Sequence, residues 1–387
     1  MSAWADWFAE QRSAREAAGL QRILRPRELG EELLDLAGND YLGMNGHPEV
    51  RRGAAEAALD WGAGAGASRL VTGTTAGHTE LERELAGFTG HEAALVCSTG
   101  YHANLSAVTA LADRDTVIIS DAHIHASLID AARLSRARIE VVAHNDLDAV
   151  RAALAEAGDR RTLVLTESVF SVLGDTAPLT ELAAACAEAG ALLLVDEAHG
   201  LGVLGDGGRG LVHRAGLAGH PHVIMTATLS KSLGAMGGSV LGPGALIDHL
   251  INRARPFIFD TGLAPAPVAG ALTALRILRH SPDLPARIHE RSAELADLLA
   301  VPRPAGAVVS VPMRSPQAAL TAQSHARAAG LRVGCFRPPS VPDGISRLRI
   351  TVSMGLDDAQ WAAAVRTLTE IIDGHRDRTG TLPVFSP

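Results

Sequence analysis

Between residues 90 and 240 this 387-residue chain alternates short apolar runs with longer Ala- and Leu-rich stretches of helical period. The runs fall at 93–97, 116–120, 139–143, 162–166, 191–195, 223–227 and 238–241. A strand that is apolar on both faces needs cover on both faces, and strand–helix–strand alternation joins such strands in parallel. The pattern predicts an α/β fold, a mostly parallel seven-stranded sheet with helices on both faces. Runs at 308–311, 331–335 and 347–352 read as strands of a smaller α+β domain, beyond a boundary near His280-Ser281-Pro282. Trp4, Trp7, Phe8, Leu20, Ile23 and Leu24 recur at helical spacing and predict an N-terminal arm packed on the main body. The expected organisation is a helical arm over 1–45, a large α/β domain over 46–280 and a small C-terminal domain over 281–387.

Composition narrows the function classes. Hydrophobic residues make up 47% of the chain and aromatics only 3%, so the core must be built from Ala, Val, Leu and Ile. A net charge of −8 with no basic stripe weighs against nucleic acid and anionic membranes as partners. Cys97, Cys186 and Cys335 are widely spaced with no metal-ligand pattern, so reduced thiols and no metal site are expected. No apolar run reaches transmembrane length and the first twenty residues contain no secretion-signal core, so a cytoplasmic location is expected.

Of the 35 basic Lys and Arg residues, only Lys231 is a lysine. Arg serves surface electrostatics equally well, but its guanidinium stays protonated, whereas a buried Lys can lose its proton and attack a carbonyl. Lys231 follows the run 223–227. In open α/β sheets ligands bind outside the carboxyl ends of the strands, and polar residues concentrate at those ends here. Ser98-Thr99-Gly100-Tyr101-His102-Ala103-Asn104 follows one run and opens a helix, which offers backbone N–H groups to a phosphate. Asp121-Ala122-His123-Ile124-His125-Ala126-Ser127 follows a second, and Asp196-Glu197-Ala198-His199-Gly200 a third. A phosphate cradle, an acid at a buried strand end, histidines and a lone lysine form the set that pyridoxal 5'-phosphate requires.

These motifs carry a family resemblance over nearly the whole chain. They are Asn39-Asp40-Tyr41-Leu42-Gly43, Ser98-Thr99-Gly100-Tyr101 with Asn104, and His125-Ala126-Ser127. They continue with Glu167-Ser168-Val169-Phe170-Ser171 and Gly174-Asp175, then Asp196 to Gly200, Thr228-Leu229-Ser230-Lys231, and Arg347-Leu348-Arg349-Ile350-Thr351. The chain resembles the α-oxoamine synthases, homodimeric fold-type-I pyridoxal-phosphate transferases that join an amino acid to an acyl thioester with decarboxylation. The resemblance implies that Lys231 is the Schiff-base lysine and proton shuttle, that Asp196 pairs with the ring nitrogen, that His199 contacts the ring hydroxyl and that His125 stacks on the ring. It implies that Ser171 and Thr228 contact the cofactor, that the Gly100 and Tyr101 amides hold its phosphate, and that Thr261 reaches the phosphate of the other subunit. Arg349 takes the amino-acid carboxylate on this reading, Thr351 lies beside it, and Asn39, His125 and Arg22 are further substrate contacts. Relatives place an acyl-substrate Arg where Gln21 aligns here, and Arg22 is its neighbour. Within the family, Phe336-Arg337-Pro338-Pro339-Ser340-Val341-Pro342 and Ala143-His144-Asn145-Asp146 resemble members that take L-alanine and a pimeloyl thioester. Two alternatives stay open: a sister synthase using glycine or serine with another acyl group, and a catalytically silent sensor that binds the cofactor as a ligand. The complete set of Lys231, Asp196 and His199 speaks against the sensor.

Overall fold

The structure, a computed structural model, describes residues 2–17, 20–338, 341 and 343–375. It has two compact units, Met1–Leu33 and Leu34–Pro387. The first carries one helix, Ala3–Ala17, along which Trp4 and Trp7 meet edge to face with centroids 5.7 Å apart. The apolar spacing predicts helix as far as residue 24, but residues 20–24 are not helical. Two backbone constraints outweigh the periodicity there: Gly19 is a poor helix former, and Pro26 restricts the residue before it to extended conformations.

Eleven strands are found among the described residues. In chain order they begin with β1 (Leu34–Leu36), β2 (Ala93–Cys97), β3 (Thr116–Asp121), β4 (Arg138–Val142) and β5 (Arg161–Glu167). They continue with β6 (Leu192–Asp196), β7 (Val223–Thr228), β8 (Gly238–Gly242), β9 (Val308–Pro312), β10 (Leu331–Phe336) and β11 (Arg347–Thr351). The large sheet has the order β2-β8-β7-β6-β5-β3-β4. It is parallel from β7 to β4, while β8 runs antiparallel to both its neighbours. All six residues of β3 and all six of β7 are buried, as expected of strands covered on both faces. Alternate residues serve the two sides: Ala94, Val96 and Leu241 join one apolar cluster, and Leu95, Cys97 and Val240 the other. The core is aliphatic, as composition requires; among its largest fully buried side chains only Tyr41 and Phe170 are aromatic.

A second, four-stranded sheet has the order β1-β10-β11-β9. The periodicity gives no sign of β1, a three-residue strand paired in parallel with β10. After β1 the chain turns under Asp35, whose Oδ1 accepts from the Ala37 and Gly38 amides at 3.0 Å. Residues 39–44 then lie against the segment that follows β11. Met354 N–H donates to the Tyr41 carbonyl at 2.8 Å, and Ser353 Oγ donates to the Asp40 carbonyl at 2.5 Å. Gly43 is left-handed (φ 70°), and a Cβ there would meet Gly355 Cα and N at 2.7 Å. Strain and overlap both oppose a side chain at this position. Gly43→Ala should therefore lower stability by about 1–3 kcal/mol, read as a fall in denaturation midpoint. An unchanged midpoint would show that residues 39–44 are not anchored as described.

Candidate active site

The register of the large sheet lines up its carboxyl ends. Glu167 of β5 is opposite Asp196 of β6, and Asp196 is opposite Thr226 of β7. Past Thr228 the chain turns back toward β8 through residues 229–237. Leu229 N–H donates to the Gly237 carbonyl at 2.9 Å, and Ala235 N–H to the Leu229 carbonyl at 3.0 Å. This turn carries Lys231.

The Lys231 amine lies 2.8 Å from His199 Nε2. Burial pulls the amine down to about 8, against the opposing pull of the Asp196 and Glu167 charges. Burial, reinforced by the charges of Lys231 and Arg349, holds His199 well below the ordinary histidine range, so the ring is neutral. A neutral ring has one donor and one acceptor nitrogen. Nε2 accepts from the ammonium, and Nδ1–H donates to Tyr41 Oη at 2.6 Å. Tyr41 O–H in turn donates to Asn39 Oδ1 at 3.2 Å. Burial pushes the Tyr41 phenol up to about 12, which keeps it a donor at neutral pH.

Asp196 has neutral donors. Asn104 Nδ2 donates to Oδ2 at 2.7 Å and the Ala198 amide to Oδ1 at 2.9 Å. Asn104 is itself fixed, its Oδ1 accepting from Thr226 Oγ1 at 2.6 Å and its Nδ2 also lying 2.8 Å from Ser127 Oγ. Ser127 Oγ meets His125 Nδ1 at 2.8 Å. A buried carboxylate needs a cation or a protonated partner, and a ring N–H⁺ would satisfy it. Beside it, burial and the Asp196 charge raise Glu167 well above the usual carboxylate range, and its buried Oε1 has no hydrogen-bond partner.

The helix Gly100–Leu111 begins at the same edge. Thr99 Oγ1 accepts from the His102 amide at 3.0 Å, which leaves the Gly100 and Tyr101 amides at the open N-terminus, where a phosphate binds well. A Cβ on Gly100 would meet Thr228 Cβ at 3.0 Å, so a bulkier residue would crowd this cradle. Thr228 Oγ1 is 2.7 Å from Ser230 Oγ. A cavity of about 210 Å³ is bounded by Gly100, Tyr101, His125, Asp196, Thr228 and Lys231, among others. Its walls thus offer an amine, a carboxylate, an imidazole and a helix N-terminus. The orphaned Glu167 oxygen and the crowded glycine show a cavity shaped for a polar ligand, and the donor set fits pyridoxal phosphate.

A second cluster forms around Arg349 of β11. Its Nε–H donates to the Ser171 carbonyl at 2.9 Å, Nη1 to Asn39 Oδ1 at 3.1 Å and Thr351 Oγ1 at 3.3 Å, and Nη2 to Asn39 Oδ1 at 3.1 Å. All three acceptors are neutral, so these contacts leave the guanidinium charge uncompensated. Arg347, two residues away, is instead held by the Asp343 carboxylate and the Ile345 carbonyl. Asn39 joins the two clusters, touching both Arg349 and Tyr41.

Most expected site residues are therefore gathered. Lys231, Asp196, His199, His125, Gly100, Tyr101 and Thr228 bound one cavity, and Arg349, Asn39, Thr351 and the Ser171 backbone form the neighbouring cluster. Thr261 lies apart, bridged to Ser68 and beside a smaller cleft with Arg69 and Asp260. Arg22 belongs to the first unit. Pro339, Ser340 and Pro342 of the Arg-Pro-Pro stretch lie outside the described residues. Three participants were legible only as motif letters: Glu167, Asn104 and Tyr41. An acid closing the run 162–166, level with Asp196, was the available signal for Glu167.

The comparisons agree with this geometry. The family profile of class I and II aminotransferases matches residues 31–368. An 8-amino-7-oxononanoate synthase of Mycobacterium sp. (strain KMS) is 53% identical over 375 residues, 97% of each chain. A lysine-to-alanine variant of serine palmitoyltransferase from S. paucimobilis, solved with a bound pyridoxal phosphate–myriocin aldimine, superposes with a TM-score of 0.89 at 28% identity, covering 97% of this chain and 99% of that one. An 8-amino-7-oxononanoate synthase from Francisella tularensis has a TM-score of 0.74 at 26% identity, covering 88% and 98%. With a cavity that fits the cofactor and relatives matched almost end to end, this chain belongs to the α-oxoamine synthases, the acyl-transferring pyridoxal-phosphate enzymes of the class I and II aminotransferase family, alongside the 8-amino-7-oxononanoate synthases.

Proposed function

We propose that this chain condenses L-alanine with a pimeloyl thioester, in biotin synthesis, to give 8-amino-7-oxononanoate, carbon dioxide and the free thiol of coenzyme A or a carrier protein. The observation that carries the chemistry is the Lys231 amine, 2.8 Å from the neutral His199 ring and pulled down to about 8 by burial against the charges of Asp196 and Glu167. The 53% identity to an 8-amino-7-oxononanoate synthase supports the choice of product. The working enzyme is a cytoplasmic homodimer in this reading, with a large cofactor domain over 46–280, a small domain over 281–387 and an N-terminal segment over 1–45, whose strand β1 pairs into the small-domain sheet and leaves the arm proper before Leu34.

Pyridoxal phosphate, when bound, supplies an electrophilic aldehyde and a protonated ring that draws electrons from the amino-acid α-carbon. Lys231 would hold its aldehyde carbon, Asp196 its ring N–H, His199 its ring hydroxyl and His125 its ring face. The Gly100 and Tyr101 amides would hold the phosphate, Thr228 and Ser171 would contact the cofactor, and Thr261 of a second copy would reach the phosphate across the dimer. Arg349 takes the alanine carboxylate in its two parallel N–H groups, flanked by Asn39 and Thr351. Lys231 Nζ, a free amine in part at neutral pH, accepts the alanine α-proton. The α-carbon then attacks the thioester carbonyl, the C–S bond breaks and the thiol leaves. The product of that step is a β-keto acid, so its carboxylate departs as carbon dioxide and Lys231 returns a proton to the carbon. Arg22 is the proposed contact for the acyl end.

A panel of alanine, glycine and serine against several acyl thioesters tests the substrate assignment. Preferred turnover of serine or glycine would replace this reading with that of a sister synthase. Two further outcomes are expected. Only a free amine attacks a carbonyl, so attachment of pyridoxal phosphate to the apo-protein should accelerate as pH rises through about 8, where Lys231 loses its proton. Borohydride should then fix the cofactor to the peptide containing Lys231. An attachment rate flat between pH 7 and 9, or label recovered on another peptide, would remove Lys231 from the role. Arg349→Ala should weaken alanine binding by about tenfold or more, the scale of a lost charged hydrogen bond. Arg349→Lys should restore only part of it, because an ammonium lacks the planar fork. Spectral titration with alanine measures both, and an unchanged dissociation constant in Arg349→Ala would move the carboxylate site elsewhere.

A further inference from the structure

At the far side of the large sheet, a polar cluster outside the cofactor cavity joins β3 to the turn that carries Ser171. His144, just beyond β4, has both ring nitrogens on carboxylates. Nδ1 is 3.0 Å from Asp121 Oδ1, and Nε2 is 2.8 Å from Asp175 Oδ2. An ionised carboxylate only accepts, so both ring nitrogens must carry protons, and the ring between them is an imidazolium. The surroundings preserve that arrangement. His123 stacks on His144 with centroids 3.9 Å apart, and the Phe170 ring stands perpendicular to His144 with centroids 4.4 Å apart. Asn145 repeats the bridge, its amide donating to Asp121 Oδ2 at 2.8 Å and its Nδ2 to Asp175 Oδ2 at 3.0 Å.

Asp175 closes a tight turn. Phe170 N–H donates to the Asp175 carbonyl at 3.0 Å, Gly174 N–H donates to the Phe170 carbonyl at 2.9 Å, and Val169 bridges Thr176. Ser171 sits on this turn, and its carbonyl accepts from Arg349 Nε at 2.9 Å. That bond sets the rotation of the guanidinium plane and hence where the two Nη groups point. The backbone bonds shape the turn, and side chains attach it to the large sheet at two points: Asp175, which accepts from His144 and Asn145, and the Thr176 carbonyl, which accepts from Asn145 Nδ2 at 3.2 Å.

We propose that His144, as an imidazolium joining Asp121 to Asp175, is a positioning residue for amino-acid carboxylate recognition, fixing the turn whose Ser171 carbonyl aims Arg349. The proposal rests on Arg349 receiving the carboxylate. The electrostatics agree in direction. Burial pulls His144 down, but hydrogen bonds and charge from Asp121 and Asp175 overcome it and carry the ring up to about 9. Asp121 is held below its usual range despite its burial, by His144 and by the Asn145 and His123 amides. The other titratable groups facing the cluster are His123, itself held low by burial and by His144, Asp343, whose charge reaches His123, and Glu167, which feels the Asp121 charge. A histidine raised in the folded state stabilises fully below its unfolded value of about 6.5. The contribution fades as pH climbs through about 9, so the clamp is engaged at neutral pH and released in mild alkali.

The test uses His144→Gln in the holoenzyme. Glutamine can donate to one carboxylate but cannot bridge both as a cation. The expected result is a KM for alanine raised about tenfold, a smaller change in kcat, a KM for the acyl thioester within twofold and an unaltered cofactor absorbance maximum. In wild-type protein with ¹⁵N-labelled histidine, one ring should keep both N–H protons at pH 8, and its signals should vanish in His144→Gln. An alanine KM unchanged in a merely less heat-stable variant would overturn the proposal, as would wild-type histidines that are all neutral at pH 8. Arg349→Ala separates the two readings: if it leaves alanine binding intact the carboxylate assignment fails, and if it abolishes binding while His144→Gln does not, only the clamp fails.

Discussion

The Lys231 amine sits against a neutral imidazole, and the rest of the site depends on that contact. Had the ammonium been seated directly on a carboxylate, the ion pair would hold its proton and the amine could not serve as nucleophile or base. His199 can take this place only while uncharged. Its burial, the nearby cations and the Tyr41–Asn39 chain that fixes its tautomer all serve that condition. The acids Asp196 and Glu167 stand near enough to temper the shift of Lys231 without cancelling it. The low value of the amine is thus a property of an arrangement drawn from both sheets.

The two sheets divide the labour. The large one supplies strand ends whose register brings Glu167, Asp196 and Thr226 level. The small one supplies Arg349. Between them run residues 39–44, pinned to the segment after β11 and touching both His199 and Arg349. Hydrogen bonds from Met354, Ser353, His199 and Arg349, each contributing roughly 1 kcal/mol or more, hold this strip. The surroundings of the Lys231 amine and of the Arg349 guanidinium are thus joined through His199, Tyr41 and Asn39.

Much of this was readable from residue order, and what was not has physical reasons. The seven strands of the large sheet lie within a residue or two of their apolar runs, because strands buried on both faces leave an unbroken signature. β1 escaped because Leu34-Asp35-Leu36 is too short to show a period and gains its identity only from its partner β10. The helical spacing near the N-terminus overran the true helix, since periodicity does not register what glycine and proline do to the backbone. Lys231, Asp196 and His199 stand out as reactive types at strand ends. Asn104 and Tyr41 do not, because an amide and a phenol acquire roles only through what they touch, and those contacts span 92 and 158 positions of sequence. Residue type does not tell Arg347 from Arg349, which the family motif alone singled out; the Asp343 carboxylate beside Arg347 separates them physically.

The antiparallel strand β8 has a topological consequence. A parallel connection from β7 would have to cross the sheet and begin its next strand at the opposite edge, carrying the intervening residues away. Because β8 runs back against β7, the link between Thr228 and Gly238 starts and finishes on the same edge, and every residue in it stays within reach of the strand ends. The amine is thereby tethered at both sides by a closed, hydrogen-bonded turn of fixed length. A longer helical crossover on a sheet face leaves this edge in place, whereas an insertion or deletion in this one turn alters the reach of the Lys231 amine itself.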